Sequence, residues 1–497
     1  MFARIVSHEL RVLRADRIAW IVIVLFALAT GYAVWNGAER VREERAGLDR
    51  YKAVHEALVE RYRQRAEAIE RVEAGGTSGP FYLHRNEFTW GPRQPGYVPA
   101  WAPFFAALPP APAAVLAVGQ SDIYPPVFTV RTFTRELQPA VEPNGNPLKL
   151  LQGHFDLAFT ILYLYPLFIL ALSFDLAASE REQGTLALLL SQPVSARSLL
   201  LGKSAARALL VLGTTFGCVA LGCFLMTSEI KSADILPRLI LWCLAVTVYG
   251  ATWFGLALWI NSFGKGSTFN ALSSISCWLA FTLLLPAMLL LTASWLHPLP
   301  AKAEMVEAQR AADFEASERR SQLDPEEQER LLARFIEENP DLQRPGAWNE
   351  KGRFYLVAYA QRHDTSHQLD EQRWEINQQK NRQVSFLARV SFVSPALLMQ
   401  SAMYDIAGAG PARHQHFLEE ASRYQREFER FFWPRLFTGT VLSSTEFKDI
   451  PRFKYQEESC STVGRRTVKP LAALTAFGFF FWLAGLRAFR TLPIAAK

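Results

Sequence analysis

Apolar residues in this chain gather into six long runs, and charged residues crowd the stretches between them. Ile18 to Trp35, Phe155 to Phe174, Ala205 to Met226, Ile235 to Ile260, Phe269 to Trp295 and Leu471 to Phe489 are each long enough to cross a bilayer as a helix. Pro286 predicts a kink in the fifth. Ahead of the first run, Phe2 to Asp16 repeats with helical period. Phe2, Ile5, Val6, Leu10 and Leu13 form an apolar face against Arg4, Arg11, Arg14 and Arg17. This predicts an amphipathic helix over residues 1–17 lying on the inner membrane surface. Ala27-Leu28-Ala29 has the form of a signal-peptidase site, but the apolar run continues to Trp35, so residues 18–35 are expected as an uncleaved anchor. The arginines before it place the N-terminus in the cytoplasm.

Two intervals are far too long to be turns. Residues 36–153 and 297–467 are expected as two extracytoplasmic domains, flanking spans two to five in 154–296 and followed by the sixth span and a cytoplasmic tail in 468–497. In the first interval, Val41, Leu48, Tyr51, Val54, Leu58, Tyr62, Ile69 and Val72 recur among charges and predict a helix, broken by Gly75-Gly76-Thr77-Ser78-Gly79-Pro80. Trp90 to Pro147 is rich in proline and aromatics, with one short strand candidate, Val127 to Phe133. In the second, Val306 to Glu338, Phe354 to Leu387 and His416 to Phe432 read as charged or amphipathic helices. Arg389 to Asp405 is apolar but contains Ser394-Pro395, and is expected as an interfacial helix on the outer leaflet.

Over 497 residues the mean hydropathy is +0.05, too polar for a wholly embedded protein and too apolar for a soluble one. The net charge of +6 fits a positive-inside bias, since Arg181, Arg197, Lys203, Arg207, Lys265 and the tail all fall on the inner side. No basic stripe is interleaved with aromatics, which argues against nucleic acid. Cys218, Cys223, Cys243 and Cys277 lie in apolar runs and Cys460 stands alone, so no disulfide or zinc spacing is present.

The most informative stretch follows the second run. After Asp175 the chain turns polar through Ser179-Glu180-Arg181-Glu182-Gln183. Gly184 is suited to end that helix with positive φ, Thr185 to cap a new one, Pro193 to stop it and Ser195 to cap the next. Thr185 to Ser191 is too short to span and too apolar to stay bare in water, so it needs a groove on a partner. Glu180-Arg181-Glu182-x-Gly184-Thr185-Leu186, then Ser191-x-Pro193-Val194-Ser195 and Leu201-Gly202-Lys203, with Ser394-Pro395 and Ile406-Ala407-Gly408 later, resembles the ABC-2 type transporter permeases, in the subgroup with large extracytoplasmic insertions. The resemblance covers most of the chain. It implies a mainly α, polytopic protein of the bacterial inner membrane with both termini cytoplasmic. It also implies a coupling helix over 179–195, in which Glu180, Arg181, Glu182, Gly184, Thr185, Leu186, Leu188, Leu189 and Pro193 meet a separate ATPase. ATP and magnesium would be bound by that ATPase, and a second permease subunit, membrane lipid and an extracytoplasmic protein are the other implied partners.

The chain carries no ATPase motif of its own. Gly202-Lys203-Ser204 mimics the end of a phosphate-binding loop, but Arg197 stands where the first glycine belongs. Charges are almost absent from the span interiors, which argues against a proton relay. Candidate metal ligands are His363 and His367, four apart on an expected helix, and Met399, Met403, His414 and His416, a set suited to copper. Paired surface histidines are common and methionines at helical spacing usually pack, so no metal site is expected. The distantly similar nitrous-oxide-reductase maturation permeases serve copper, which keeps a copper-related maturation permease open beside a membrane-anchored scaffold or receptor without transport.

Overall fold

The computed structural model describes residues 2–101, 104–119, 121, 123–132, 137–140, 155–185, 191, 195–225, 235–299, 304, 307, 310–311, 314–315, 317–318, 322, 324–339 and 350–489, without the side chains of 225, 350–352, 354 and 362–377. Among these residues, six helices are long and apolar enough to cross a membrane: Arg17–Glu73, Leu157–Glu182, Ala196–Phe224, Ile235–Asn261, Ser267–Leu296 and Cys460–Ala488. They are the six spans expected from the apolar runs. The protein is mainly α.

The first span does not stop at the membrane. Asp16 caps its start by accepting from the Ile18 N–H at 2.9 Å. The helix then runs unbroken for 57 residues, about 85 Å at 1.5 Å per residue. The apolar run and the amphipathic run after it are therefore one rod. The fourth span lies at the centre, with Trp242, Tyr249 and Trp253 fully buried. The sixth packs along it, tied by Thr252 Oγ1 to the Leu474 carbonyl at 3.1 Å and Trp482 Nε1 to the Ala251 carbonyl at 2.8 Å. The fifth span is peripheral: Met288, Leu291 and Trp295 are exposed, as lipid-facing residues would be.

Spans two and five share a device. Each contains one π-helical turn, Thr160–Leu164 and Ala280–Leu284, followed two residues later by a proline, Pro166 and Pro286. Proline has no N–H for the carbonyl four residues back, and a wider turn relieves the clash of its ring. The carbonyls of these turns then serve neighbours. Leu162, four before Pro166, accepts from Tyr249 Oη at 3.0 Å, and Tyr163 accepts from Trp278 Nε1 at 2.9 Å. Phe281 accepts from Ser394 Oγ at 3.4 Å. The kink foreseen at Pro286 is thus spread over a π turn that docks another element.

That element departs from expectation. Ser394 caps the helix Pro395–Ala407, and the chain bends by 119° there. Leu398, Met399, Ala402, Met403 and Ile406 are buried in the main core, against the fourth and sixth spans. The helix does not lie on a lipid surface. Its apolar character is core packing, and the Ser-Pro step supplies the turn that inserts it.

The two long insertions gather at the end of the bundle opposite Glu182 and share one core. Val59 and Ala66 of the rod, Val98, Phe104, Phe128 and Val130 of the first insertion, and Phe417, Phe428, Phe432, Leu442 and Ile450 of the second pack together. The strand candidate is Val127–Thr129, the middle of a three-stranded antiparallel sheet with Phe105–Ala107 and Gln138–Pro139. The sheet is small, as the prolines require. A smaller cluster joins Leu332 and Phe335 of helix Pro325–Glu338 to Tyr359, Leu436 and Phe437. The insertions therefore do not stand as two bodies.

Ion pairs fix this core to the spans. Glu457 accepts from Arg413 Nε at 2.9 Å and Nη2 at 2.7 Å, and lies 3.4 Å from the fully buried Arg238 of the fourth span. Arg413 also donates to the Pro109 carbonyl of the first insertion at 2.9 Å, and Arg238 to the Ile406 carbonyl at 3.2 Å. Asp156 accepts from the N–H groups of Val118 and Phe159 at 2.8 and 2.7 Å, capping the second span with a side chain that also holds the first insertion. Removing one member of such a buried pair is far more damaging than never having it. Arg413→Leu is therefore expected to destabilise the detergent-solubilised protein by about 3 kcal/mol, read as a lower melting temperature and faster proteolysis of both insertions together. Loss of protection in only one insertion would contradict the shared core.

Candidate functional site

The second span ends in a break. Helix Tyr165–Ser173 gives way to turns over 174–177 before the short helix Ala178–Glu182 begins. Carbonyls at such a break are left without helical partners, and a buried backbone group without a partner costs about as much as a lost hydrogen bond. Side chains from three other spans supply the donors. Asn261, at the end of the fourth span, donates to the Ser173 carbonyl at 3.0 Å, while its Oδ1 accepts from the Ala177 N–H at 3.3 Å. Asn270, in the fifth, donates to the Phe174 carbonyl at 3.1 Å and to Asn261 Oδ1 at 3.1 Å. Lys203, buried in the third, donates to the Leu176 carbonyl at 3.2 Å.

Charge pairs continue the pattern. Glu180 pairs with Lys203. Asp175 pairs with Arg207 at 3.4 Å, and Arg207 meets Glu9 of the helix Phe2–Ala15 at 3.0 Å. Glu182 reaches the fifth span. Its Oε1 accepts from the Ser267 N–H at 2.6 Å and its Oε2 from Ser267 Oγ at 3.1 Å, so it closes the N-terminus of helix Ser267–Leu279. A carboxylate there also meets the positive end of the helix dipole. The N-terminal helix packs so closely on the third span that a Cβ at Gly202 would come within 2.6 Å of the Ile5 side chain.

Gly184 has φ +71, the left-handed turn that ends Ala178–Glu182, and its N–H returns to the Arg181 carbonyl at 3.2 Å. Arg181 is half-buried at the surface of this short helix. The Thr185 hydroxyl donates back to the Glu180 carbonyl at 3.2 Å, tying the turn closed; the groups it would cap lie outside the described residues. Ser195 does cap, accepting from the Ser198 N–H at 3.2 Å, and the third helix starts there rather than at Ala205. Leu186, Leu188, Leu189 and Pro193 lie outside the described residues.

The metal candidates separate. Met399 and Met403 are fully buried in the main core. His414 stacks on Tyr124 with ring centroids 4.3 Å apart, and His416 Nε2 meets the Gln456 carbonyl at 3.1 Å. The side chains of His363 and His367 lie outside the description. Among the described residues no group of three or more His, Cys, Asp or Glu is placed to hold a metal ion.

The site is thus a latch that ties the exit of the second span to spans three, four and five and to the N-terminal helix. The sequence profile described as ABC-2 family transporter protein matches residues 3–419, which takes in five spans, the latch and most of both insertions. The chain belongs to this family. It also shares 31% identity over 143 residues with the protein described as probable ABC transporter permease protein NosY from Pseudomonas aeruginosa. That match covers 27% of this chain and 52% of the relative, so the chain spans about half the length of the relative it matches.

Asn261, Asn270 and Ser267 escaped the sequence reading, which looked for charge and motif. The available signal was an amide closing an apolar helix, since a polar group at that depth is costly unless bonded. Replacing Asn261 by Leu strips the Ala177 N–H of its side-chain partner, at about 1–3 kcal/mol, and leaves the Ser173 carbonyl with only the 3.4 Å bond from the Leu176 N–H. The expected result is a drop of several degrees in melting temperature and faster cleavage near residue 183. Glu182→Ala removes only an exposed helix cap, so a smaller loss than that of Asn261→Leu is expected. A larger effect of Glu182→Ala than of Asn261→Leu on thermal unfolding would reverse this ranking.

Proposed function

We propose that this chain is the membrane subunit of an ABC transporter, coupling ATP hydrolysis on a separate ATPase to export or to force on an extracytoplasmic partner. The observation that carries the reading is the latch. An ATPase that pushes on a short segment can move spans only if that segment is rigidly joined to them. Glu180 and Glu182 of this short helix are joined to spans three and five by Lys203 and Ser267, and the turn just before it, at Ser173, Phe174 and Ala177, is joined to spans four and five by Asn261 and Asn270. In this reading the coupling segment 179–195 docks on the ATPase, which binds ATP and magnesium, and two permease subunits and two ATPases form the complex in the bacterial inner membrane. The Glu182 end of the bundle faces the cytoplasm, with the N-terminal helix and the end of the sixth span beside it.

At the other end, the rod Arg17–Glu73 runs from its span into the shared insertion core, and the helix Cys460–Ala488 follows the segment that carries Ile450 of that core. Rigid helices carry displacement where flexible linkers do not. Rocking of the spans would then move the insertions as one extracytoplasmic body. A scaffold without transport would have no use for a latch at the opposite end.

Two experiments test this. Cysteine placed at Gly76 should react with an impermeant reagent in intact cells, and cysteine placed at Gln183 only after permeabilisation; the reverse pattern inverts the topology. Leu188→Asp should weaken ATPase association or its stimulation, since an unpartnered charge in an apolar groove costs on the order of a few kcal/mol. A purified Leu188→Asp complex with normal stoichiometry and normal ATP turnover would remove the coupling assignment.

A further inference from the structure

The small sheet of the first insertion has an open edge. Its strand order puts Phe105–Ala107 outermost, beside Val127–Thr129. In an antiparallel pair, alternate residues turn their N–H and C=O groups toward the neighbouring strand. Here the Phe104 carbonyl accepts from the Val130 N–H, and the Leu108 N–H donates to the Pro126 carbonyl, both at 2.8 Å. Residues 104, 106 and 108 therefore face the neighbour, and the backbone groups of Phe105 and Ala107 point the other way. Among the described residues those outward groups have no hydrogen-bond partner.

Phe105 and Ala107 line a cavity of about 440 Å³. The rod supplies one wall, with Lys52, His55 and Glu56, and the segment 452–455 another. The two walls flank the edge from opposite faces of the sheet. Tyr51 and His55 of the rod pack their rings on Phe105, with centroids 4.9 and 5.1 Å apart, while the Arg452 guanidinium lies 5.3 Å from the centre of the Phe104 ring. Successive side chains of a strand point to opposite faces, so Phe104 and Phe105 mark the two sides. The cavity reaches the surface, since Glu56, Arg452 and Lys454 are exposed.

Its charge is uneven. Lys52, Arg452 and Lys454 have no carboxylate within 4 Å among the described residues, against the single carboxylate of Glu56 on the same walls. An open edge is a template for another chain, and proteins often blunt one with charge, proline or a bulge on the strand itself. Phe105–Ala107 carries none of these. At three residues it offers few backbone bonds, so pairing there needs support, and the flanking cations are placed to give it.

We propose that an extended acidic segment of a partner protein adds to this edge as a further strand. Its backbone pairs with Phe105 and Ala107, and its carboxylates, alternating between the two faces, meet Lys52 on one side and Arg452 or Lys454 on the other. A lipid headgroup is out of reach: Lys52 stands 17 residues past Trp35 on one unbroken helix, about 25 Å along it, beyond a headgroup layer about 5–8 Å thick. The site gives the extracytoplasmic partner of the proposed function a docking place. The pairing itself does not involve residues 179–195, so either idea can fail alone.

The test uses the full chain in phosphatidylcholine nanodiscs without ATPase. The probe is a fluorescein-labelled, acetylated peptide of alternating glutamate and valine. Its controls carry lysine for glutamate, or backbone N-methyl groups on every residue of the acidic form. Binding is read by fluorescence anisotropy, and strand addition by hydrogen exchange over residues 104–108. In the free protein the Phe105 and Ala107 amides should exchange faster than those of Ala106 and Leu108. The acidic peptide should bind about tenfold tighter than the lysine peptide, and should slow exchange at Phe105 and Ala107. N-methylation keeps the charge but removes the backbone donors, and should weaken binding several-fold. Arg452→Glu combined with Lys454→Glu changes exposed side chains, so the melting temperature should hold while the preference moves to the lysine peptide. Failure of the acidic peptide to bind, equal binding of the lysine or N-methylated peptide, or binding that leaves exchange over 104–108 unchanged would overturn the proposal. So would a doubly reversed protein of unchanged melting temperature that keeps the original preference.

Discussion

The structure turns on backbone carbonyls that a membrane helix cannot leave bare. A span can bend or end within a bundle only where other groups take over its hydrogen bonds. At the second span this happens twice. In its middle, Pro166 frees the Leu162 carbonyl, and Tyr249 takes it. At its end, the carbonyls of Ser173, Phe174 and Leu176 are taken by Asn261, Asn270 and Lys203. Each break is thus also a joint, because the donor that satisfies it belongs to a different span. The fifth span repeats the logic with Phe281 and Ser394, which inserts the helix Pro395–Ala407 into the core.

The two ends of the bundle are built from different materials. At the Glu182 end, short polar side chains bind backbone groups in a layer only a few residues deep. At the insertion end, a shared aromatic core carries the packing, and the ion pairs of Glu457 together with the backbone N–H groups held by Asp156 attach it to the spans. Guanidinium–carboxylate pairs suit this, since their forked geometry fixes orientation as well as distance. Arg238 is the clearest case: a fully buried arginine at the end of an apolar span is tolerable only because Ile406, Glu457 and Glu458 all face it.

Much of this was legible in the residues, for identifiable reasons. Spans are read from long apolar runs, and all six were found. The left-handed turn at Gly184 and the cap at Ser195 follow from local backbone chemistry. What the sequence could not convey is which distant residue meets which. Glu182 looks like a solvated helix end until Ser267, 85 residues later, is placed against it. Arg389 to Asp405 is as apolar as an interfacial helix would be, and only packing distinguishes the two. Helices launched directly from the spans already suggest that the two insertions form one joint assembly, but which of their residues meet in the shared core cannot be seen from sequence.

That shared core bears on how motion would pass through the molecule. A body attached to one span by one flexible joint would rotate freely about it and carry little load. Here the rod arrives from the first span, Asp156 holds the base of the second, Arg238 reaches from the fourth, and the helix Cys460–Ala488 leaves into the sixth. Four attachments on spans that need not move together turn the insertion core into a gauge of their relative positions. The spans can change arrangement only if the core moves as a whole or one attachment opens. The contact of Arg238 with Glu457, at 3.4 Å, is looser than the bond from Arg413 to the same carboxylate, at 2.7 Å. If the fourth span shifts, Glu457 can stay with Arg413, so the packed core remains intact while its hold on the bundle changes.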